Sequence, residues 1–331
     1  MMRRSAADGV RCLLLAIALV ACGCASSGGG IGGSGLVVGV IESTNGASIT
    51  VDGITFDASV ADVTLDGDPG DAAGLKPGMV VTVEGEIDDD TATGVADVVR
   101  YESLLRGPVD AIRPLLRELT VLDSRIVLEP DAVLDGLVFD STLVDTGIEI
   151  SGFIDSAGDL RATRIAASAG SVTEFLLFGV VRNLDSNAET FALRTLDVDY
   201  SAAAIIGGEA SDLADGGEVR VRFSERPVGG VIVADTVILR PPTIGDDGRR
   251  AIRTLGFLTE LRSPRELVLD QRFVVRLRDD TVFIGGGPAD LAVDRLVGIV
   301  GRVGRDRVII ASIVVLRRPA ADSEEISRAE M

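Results

Sequence analysis

The chain has 331 residues, 46% of them hydrophobic, with 51 acidic side chains against 32 basic ones and a formal net charge of −19. That apolar content buries a substantial core and excludes a disordered chain. Histidine is absent, which removes the commonest general base, the commonest zinc ligand and the middle member of any Ser-His-Asp arrangement, so no enzyme, cofactor or metal centre is expected. Aromatic residues make up only 4%, so small and β-branched side chains must fill the core, a composition that favours strands.

The first eleven residues carry Arg3, Arg4 and Arg11 against Asp8 and lead into an apolar run from Cys12 to Ala21. Residues 1–21 read as a signal peptide, because the run is too short for a stable membrane span. It ends Leu19-Val20-Ala21-Cys22, which resembles the lipobox of bacterial lipoproteins. That resemblance implies diacylglycerol on the Cys22 thiol, cleavage before it, and a further acyl chain such as palmitate on the new N-terminus. Gly23 in place of aspartate implies sorting to the outer membrane, facing the periplasm or the cell surface. Residues 22–34 form a lipidated Gly/Ser tether. The tether contains G-x-G-x-x-G from Gly28 to Gly33, but no strand precedes it and no helix follows, so a dinucleotide site is not expected. Cys12, Cys22 and Cys24 are the only cysteines, and the folded part is expected to hold no disulfide.

After the tether a pattern recurs at about 70 residues. A short apolar strand surrounds Gly39, Gly107, Gly179 and Gly256. Later in each unit comes a strand of strict alternation: Val81, Val83, Gly85 and Ile87, then Ile148, Ile150, Gly152 and Ile154, and finally Val297, Ile299, Gly301 and Val303. The third unit has Val219 and Val221 but puts Phe223 where the glycine belongs. About ten residues on, a last strand aligns Ala96, Ala162, Ala234 and Ala311. Two more strands fit between the first glycine and the alternating strand, clearest around the tight turn Asp52-Gly53. The expected fold is all-β: four tandem five-stranded OB-like β-barrels over residues 35–104, 105–172, 173–248 and 249–318, followed by a disordered acidic tail over 319–331. The first unit, GVIESTNGASITVDGITFDAS followed by LKPGMVVTVEGEI and GVADVV, resembles the tandem-repeat bacterial lipoproteins whose repeat is catalogued as a domain of unknown function with a small β-barrel fold. The resemblance implies a fold and an envelope location, and it supplies no catalytic residues.

The charge is unevenly spread. Residues 35–104 carry 14 acidic and 2 basic side chains, whereas residues 249–318 carry 14 basic and 8 acidic ones. The acidic unit follows the anchor and the basic unit comes last, so the expectation is an array with its acidic end toward the membrane and its basic end outermost. Arg249, Arg250, Arg253, Arg262, Arg265, Arg272, Arg276 and Arg278 lie close together in sequence and make a candidate face for an anionic glycan, a lipid head group or an acidic envelope protein. Neutralisation by neighbouring acidic units is the alternative. Nucleic acid is not expected in an acidic protein so poor in stacking aromatics. The acidic clusters at 66–71 and 88–90 lack calcium-loop spacing and are read as solvated turns. Glu84 and Glu86 are placed on an outward strand face, while Phe56, Phe178, Phe257 and Phe273 are assigned to the core. A hinge is expected at Pro241-Pro242 and 245–248. The functional expectation is a non-enzymatic, envelope-anchored binding or scaffolding module. Its alternatives are a passive spacer and a carboxylate-based hydrolase of envelope polymers, which requires two converging carboxylates in a cleft.

Overall fold

The computed structural model describes residues 33–168, 173–241, 243–244, 250–304 and 306–317. The expected signal peptide, Cys22, most of the expected tether, Arg249 and the expected acidic tail lie outside the described residues. Among those described there is no α-helix, and the chain forms four closed five-stranded barrels. In barrel one the first strand, Gly33–Asn45, pairs antiparallel with Ser48–Val51 on one side and Val80–Asp88 on the other. Ser48–Val51 pairs with Ile54–Asp57, which runs parallel to the last strand, Thr93–Tyr101, and that strand closes on Val80–Asp88. The order first, second, third, fifth, fourth is the OB-like closure expected from the repeats, and it recurs three times. Where an OB-fold has room for a helix, these barrels have single 3-10 turns: Ala72–Gly74, Ser141–Leu143, Ala210–Asp212 and Pro288–Asp290.

The recurrent glycines have a physical cause. Gly85, Gly152 and Gly301 each sit at a register shift between the fourth and fifth strands. A Cβ at any of them would overlap the backbone carbonyl of Val95, Arg161 or Ile310, the residue before the aligned alanine. Only glycine lets the two strands coil that closely. Barrel three has Phe223 there, and its fifth strand is interrupted instead, into Val231–Val233 and Thr236–Leu239 around Ala234. Phe223 is buried and packs edge-on to Phe175 at 5.6 Å. The turn at Asp52-Gly53 has φ of 48° and 75°, the two positive values that a two-residue hairpin turn requires.

The barrels do not form a line. Residues 35–38 of the first strand pair in parallel with Ala251 to Thr254 of barrel four, so the first and last barrels share one continuous sheet. Barrels two and three share the other, through Arg106↔Leu176 and Leu105↔Leu177. Leu36 and Val38, on the outer side of barrel one, belong to the same apolar cluster as Ile252, Val297 and Ile299 of barrel four. Phe153, Leu255 and Phe257 form a smaller cluster joined by Val40 and Val80, to which barrels one, two and four contribute. The expected array with barrel four outermost is therefore corrected: a strand of barrel one that is apolar on both faces needs a partner on each, and barrel four supplies it. The expected hinge falls partly outside the described residues, but within it Thr243 donates to Glu218 at 2.9 Å and Ile244 is buried against barrel four. Phe56, Phe178, Phe257 and Phe273 are all buried.

Candidate functional site

The third strand of barrel four, Phe273–Ile284, alternates inward Phe273, Val275 and Leu277 with outward Val274, Arg276 and Arg278. After Leu277 its pairing with the last strand, Ile309–Leu316, skips residues 278–281, which bulge outward. The bulge is held by Thr281, whose hydroxyl accepts from the Arg278 N–H at 2.8 Å and donates to the Ala311 carbonyl at 2.9 Å. Arg276 lies mid-face and spans two loops, 3.2 Å from Glu266 after the first turn and 3.8 Å from Asp306 in the last. Arg262 reaches Glu260 at 3.0 Å, Arg265 pairs with Asp279, and Arg278 lies 3.3 Å from Asp280. Two shallow depressions flank Arg278. One, of about 320 Å³, is lined by Arg265, Leu277, Arg278, Asp279 and Asp280, and the other, of about 250 Å³, includes Arg302 and Ser312. In OB-type barrels the face of strands two and three, between these two loops, is where ligands sit.

The arginine run thus divides. Arg262, Arg265, Arg276 and Arg278 share the exposed face, where each ion pair is weak and exchangeable. Arg250, Arg253 and Arg272 point into joints between barrels. Arg250 lies 2.7 Å from Glu84 and Arg253 2.5 Å from Asp89, both acids of barrel one. Arg272 donates to Glu218 of barrel three at 2.9 Å, with its guanidinium over the rings of Phe178 and Phe273. Glu84 is consequently no free surface carboxylate: burial raises its pKa, but Arg100 and Arg250 outweigh burial and hold it below the usual value. Glu86 is exposed.

A second charged cluster, not foreseen, lies where barrels one, two and three meet. Its sequence context marks Asp66 as a solvated turn residue, yet it is buried at a left-handed position with φ of 54°. Its carboxylate accepts from the Ser103 N–H at 2.7 Å and from Arg106 at 2.6 Å, and it lies 3.2 Å from Arg220, whose side chain is 1% exposed. Arg220 also pairs with Glu102, as does Arg240. Arg106 continues to Glu149 at 2.9 Å, and Glu149 accepts from the Tyr101 hydroxyl at 2.8 Å. Burial pushes the pKa of Glu102 up against the pull of Arg220 and Arg240, and pushes Tyr101 well up with help from Glu149. Of the other acids in the two sequence clusters, Asp71 caps Ala73 and Gly74, and Asp88 caps Asp90 and Thr91. The three-barrel cluster is a lock between repeats; its carboxylates are wrapped by arginines. Asp270 is buried as well: it accepts from the Phe257 N–H at 3.0 Å and from the backbone of Ile154 in barrel two, and burial raises its pKa to about 7.

Among the described residues no helix is long and apolar enough to cross a membrane. No curated protein matches the chain. Residues 38–99 and 106–166 each match the family model described as Domain of unknown function (DUF5666), and those two segments coincide with the bodies of barrels one and two. The chain is a tandem-repeat protein whose first two barrels match that family of unknown function.

Proposed function

We propose that this protein is an envelope lipoprotein, acylated at Cys22, that works by binding rather than by catalysis, and that the exposed arginine face of barrel four receives an anionic glycan of the envelope. The observation that supports this most is the position of Arg276 between the first and last loops of the barrel, with Arg262, Arg265 and Arg278 around it. A protein of net charge −19 repels polyanions overall, so four exposed guanidiniums gathered on one face, each beside a carboxylate that a ligand displaces, are a specific feature of its surface. The partners of these arginines are mostly exposed carboxylates, whose pairs contribute about 0–1 kcal/mol each and yield readily to a denser array of negative charge. Four barrels locked by strand pairing and buried charge give that face a rigid support.

The test has two arms. The mass of the mature protein extracted from membranes reports the acyl chains on Cys22 and their loss in Cys22→Ser. Elution of the soluble protein from an immobilised sulfated glycan, along a salt gradient, reports the face. The wild type should elute at clearly higher salt than a variant with Arg262, Arg265, Arg276 and Arg278 all changed to Gln, while the fold is unchanged. Equal elution of the two removes the glycan assignment and leaves a spacer role as the better account.

A further inference from the structure

The turn joining the first two strands occurs four times, and three of its tips are polar: Asn45-Gly46-Ala47, Asp185-Ser186-Asn187 and Ser263-Pro264-Arg265. Barrel two differs. Between Leu105–Arg113 and Glu118–Val121 its tip reads Pro114-Leu115-Leu116, with Leu115 99% and Leu116 60% exposed. Single exposed apolar side chains are ordinary, but two adjacent leucines at the end of a hairpin are not. The tip is also held rigid. Pro114 opens a 3-10 turn, and Arg117 closes it in the left-handed conformation with its N–H donating to the Pro114 carbonyl at 3.1 Å. The Arg117 guanidinium then reaches across to the carbonyls of Glu129 at 2.7 Å and Pro130 at 3.3 Å. The leucines are therefore presented outward by construction, between Arg113, whose side chain is 72% exposed, and Arg117.

We propose that Leu115 and Leu116 are a second membrane contact: an apolar wedge, flanked by Arg113 and Arg117, that enters the interface of an anionic bilayer and fixes the orientation of the body. The proposal rests on the lipoprotein reading above. The chain outside the described residues supports a bilayer as the occupant. Ten residues separate Cys22 from Gly33, and the stretch spans at most about 40 Å when fully extended, so a body acylated at Cys22 is kept close to the surface. An acidic protein held there is repelled by anionic head groups, and it approaches best through a tip that is apolar and bordered by cations. Acyl chains supply the affinity, and the wedge decides which way barrel four faces.

The test uses residues 25–331, which contain every described residue and no acyl chain, so its outcome is independent of whether Cys22 is modified. The protein has no tryptophan, so Leu115→Trp introduces a single probe, and Asn45→Trp places the same probe on the equivalent tip of barrel one. With vesicles of phosphatidylethanolamine and phosphatidylglycerol, the probe at 115 should shift to the blue and be quenched by lipids brominated on the upper acyl carbons, and the probe at 45 should do neither. In co-sedimentation, Leu115→Ser with Leu116→Ser should lower the partition coefficient at least tenfold without altering the circular dichroism spectrum. Absence of a shift at 115, or equal quenching at 45, overturns the proposal. So does a blue shift that appears without vesicles, grows with protein concentration and vanishes on adding Leu116→Ser, because that outcome makes the tip a contact between copies of this chain.

Discussion

Barrels one and four meet as a sheet, whereas barrel one meets the paired barrels two and three around buried charge. At the first joint the backbone ladder continues from Gly35↔Ala251 to Val38↔Thr254, Leu36 and Val38 enter the apolar cluster of barrel four, and the ion pairs of Arg250 and Arg253 line its edge. At the second, Asp66 and Arg220 are taken out of water, with Glu102, Arg106 and Glu149 half-buried around them. Backbone pairing and apolar burial tolerate small changes in geometry, and their contributions are spread over many atoms. A buried ion network does neither. Its Coulombic gain roughly offsets desolvation when every partner is present, and the loss of one partner leaves an uncompensated charge. The two joints should therefore respond very differently to single substitutions.

The largest effect is expected at Arg220. Arg220→Met keeps much of the side-chain volume but takes from Asp66 and Glu102 the buried cation they share, leaving Asp66 to Arg106 and Glu102 to Arg240. Breaking a buried pair from one side costs about 3–5 kcal/mol. Urea unfolding should show the midpoint falling by a corresponding amount, at low and high salt alike, because buried pairs are little screened. A loss below about 1 kcal/mol would mean that the cluster is wet and that the two joints are of one kind.

Asp270 sharpens the comparison by burying an acid whose hydrogen bonds come from backbone N–H groups, with Arg272 acting on it only as a nearby charge. Its folded pKa of about 7 exceeds the unfolded value of about 3.9. Between those values the folded state keeps a proton that the unfolded state has released. The stability from this group is thus fully present below about pH 4 and is lost as pH rises through about 7, a change on the order of 2–4 kcal/mol. Urea midpoints at pH 5 and pH 8 should differ less in Asp270→Asn than in the wild type, with the wild type losing more on the alkaline side. Identical pH profiles for the two proteins would place Asp270 in contact with solvent.

Much of the barrel was legible because it depends on short-range rules. Alternation at Val81, Val83 and Ile87 assigns the inner face, and the spaced glycines mark where strands must coil. The joints were not legible by the same reasoning, because alternation assigns every outward side chain to solvent. In a body of packed barrels, outward also means toward a neighbour. Glu84 and Arg220 look like surface charges for that reason, and Asp66 looks like a turn residue although its partner Arg220 is 154 positions away. One signal was available. The first strands are apolar without alternation, and residues 35–39, 175–181 and 254–258 are indeed buried continuously, as expected for strands covered on both faces. Of the arginine run, the sequence supplied the residue type and the density of charge. It could not separate Arg250, Arg253 and Arg272, which follow the joints, from the four that bulge and loop geometry brings together on the exposed face.

The smallest effect tests the sheet joint itself. Arg253 pairs with Asp89 at 2.5 Å, with side chains 20% and 35% exposed, while its backbone is paired with Val37. Arg253→Gln removes the ion pair and leaves the ladder and the apolar contacts of Leu36 and Val38 in place. The expected loss is below about 1 kcal/mol at low salt, fading toward zero near 1 M salt, where the screening length is about 3 Å. Urea midpoints measured across that salt range check both statements. A loss above about 2 kcal/mol that persists at high salt would show that barrels one and four are held by their opposite charges rather than by their shared sheet. The acidic first unit and the basic last unit would then be the cause of the fold-back, where the strand pairing now makes them its refinement.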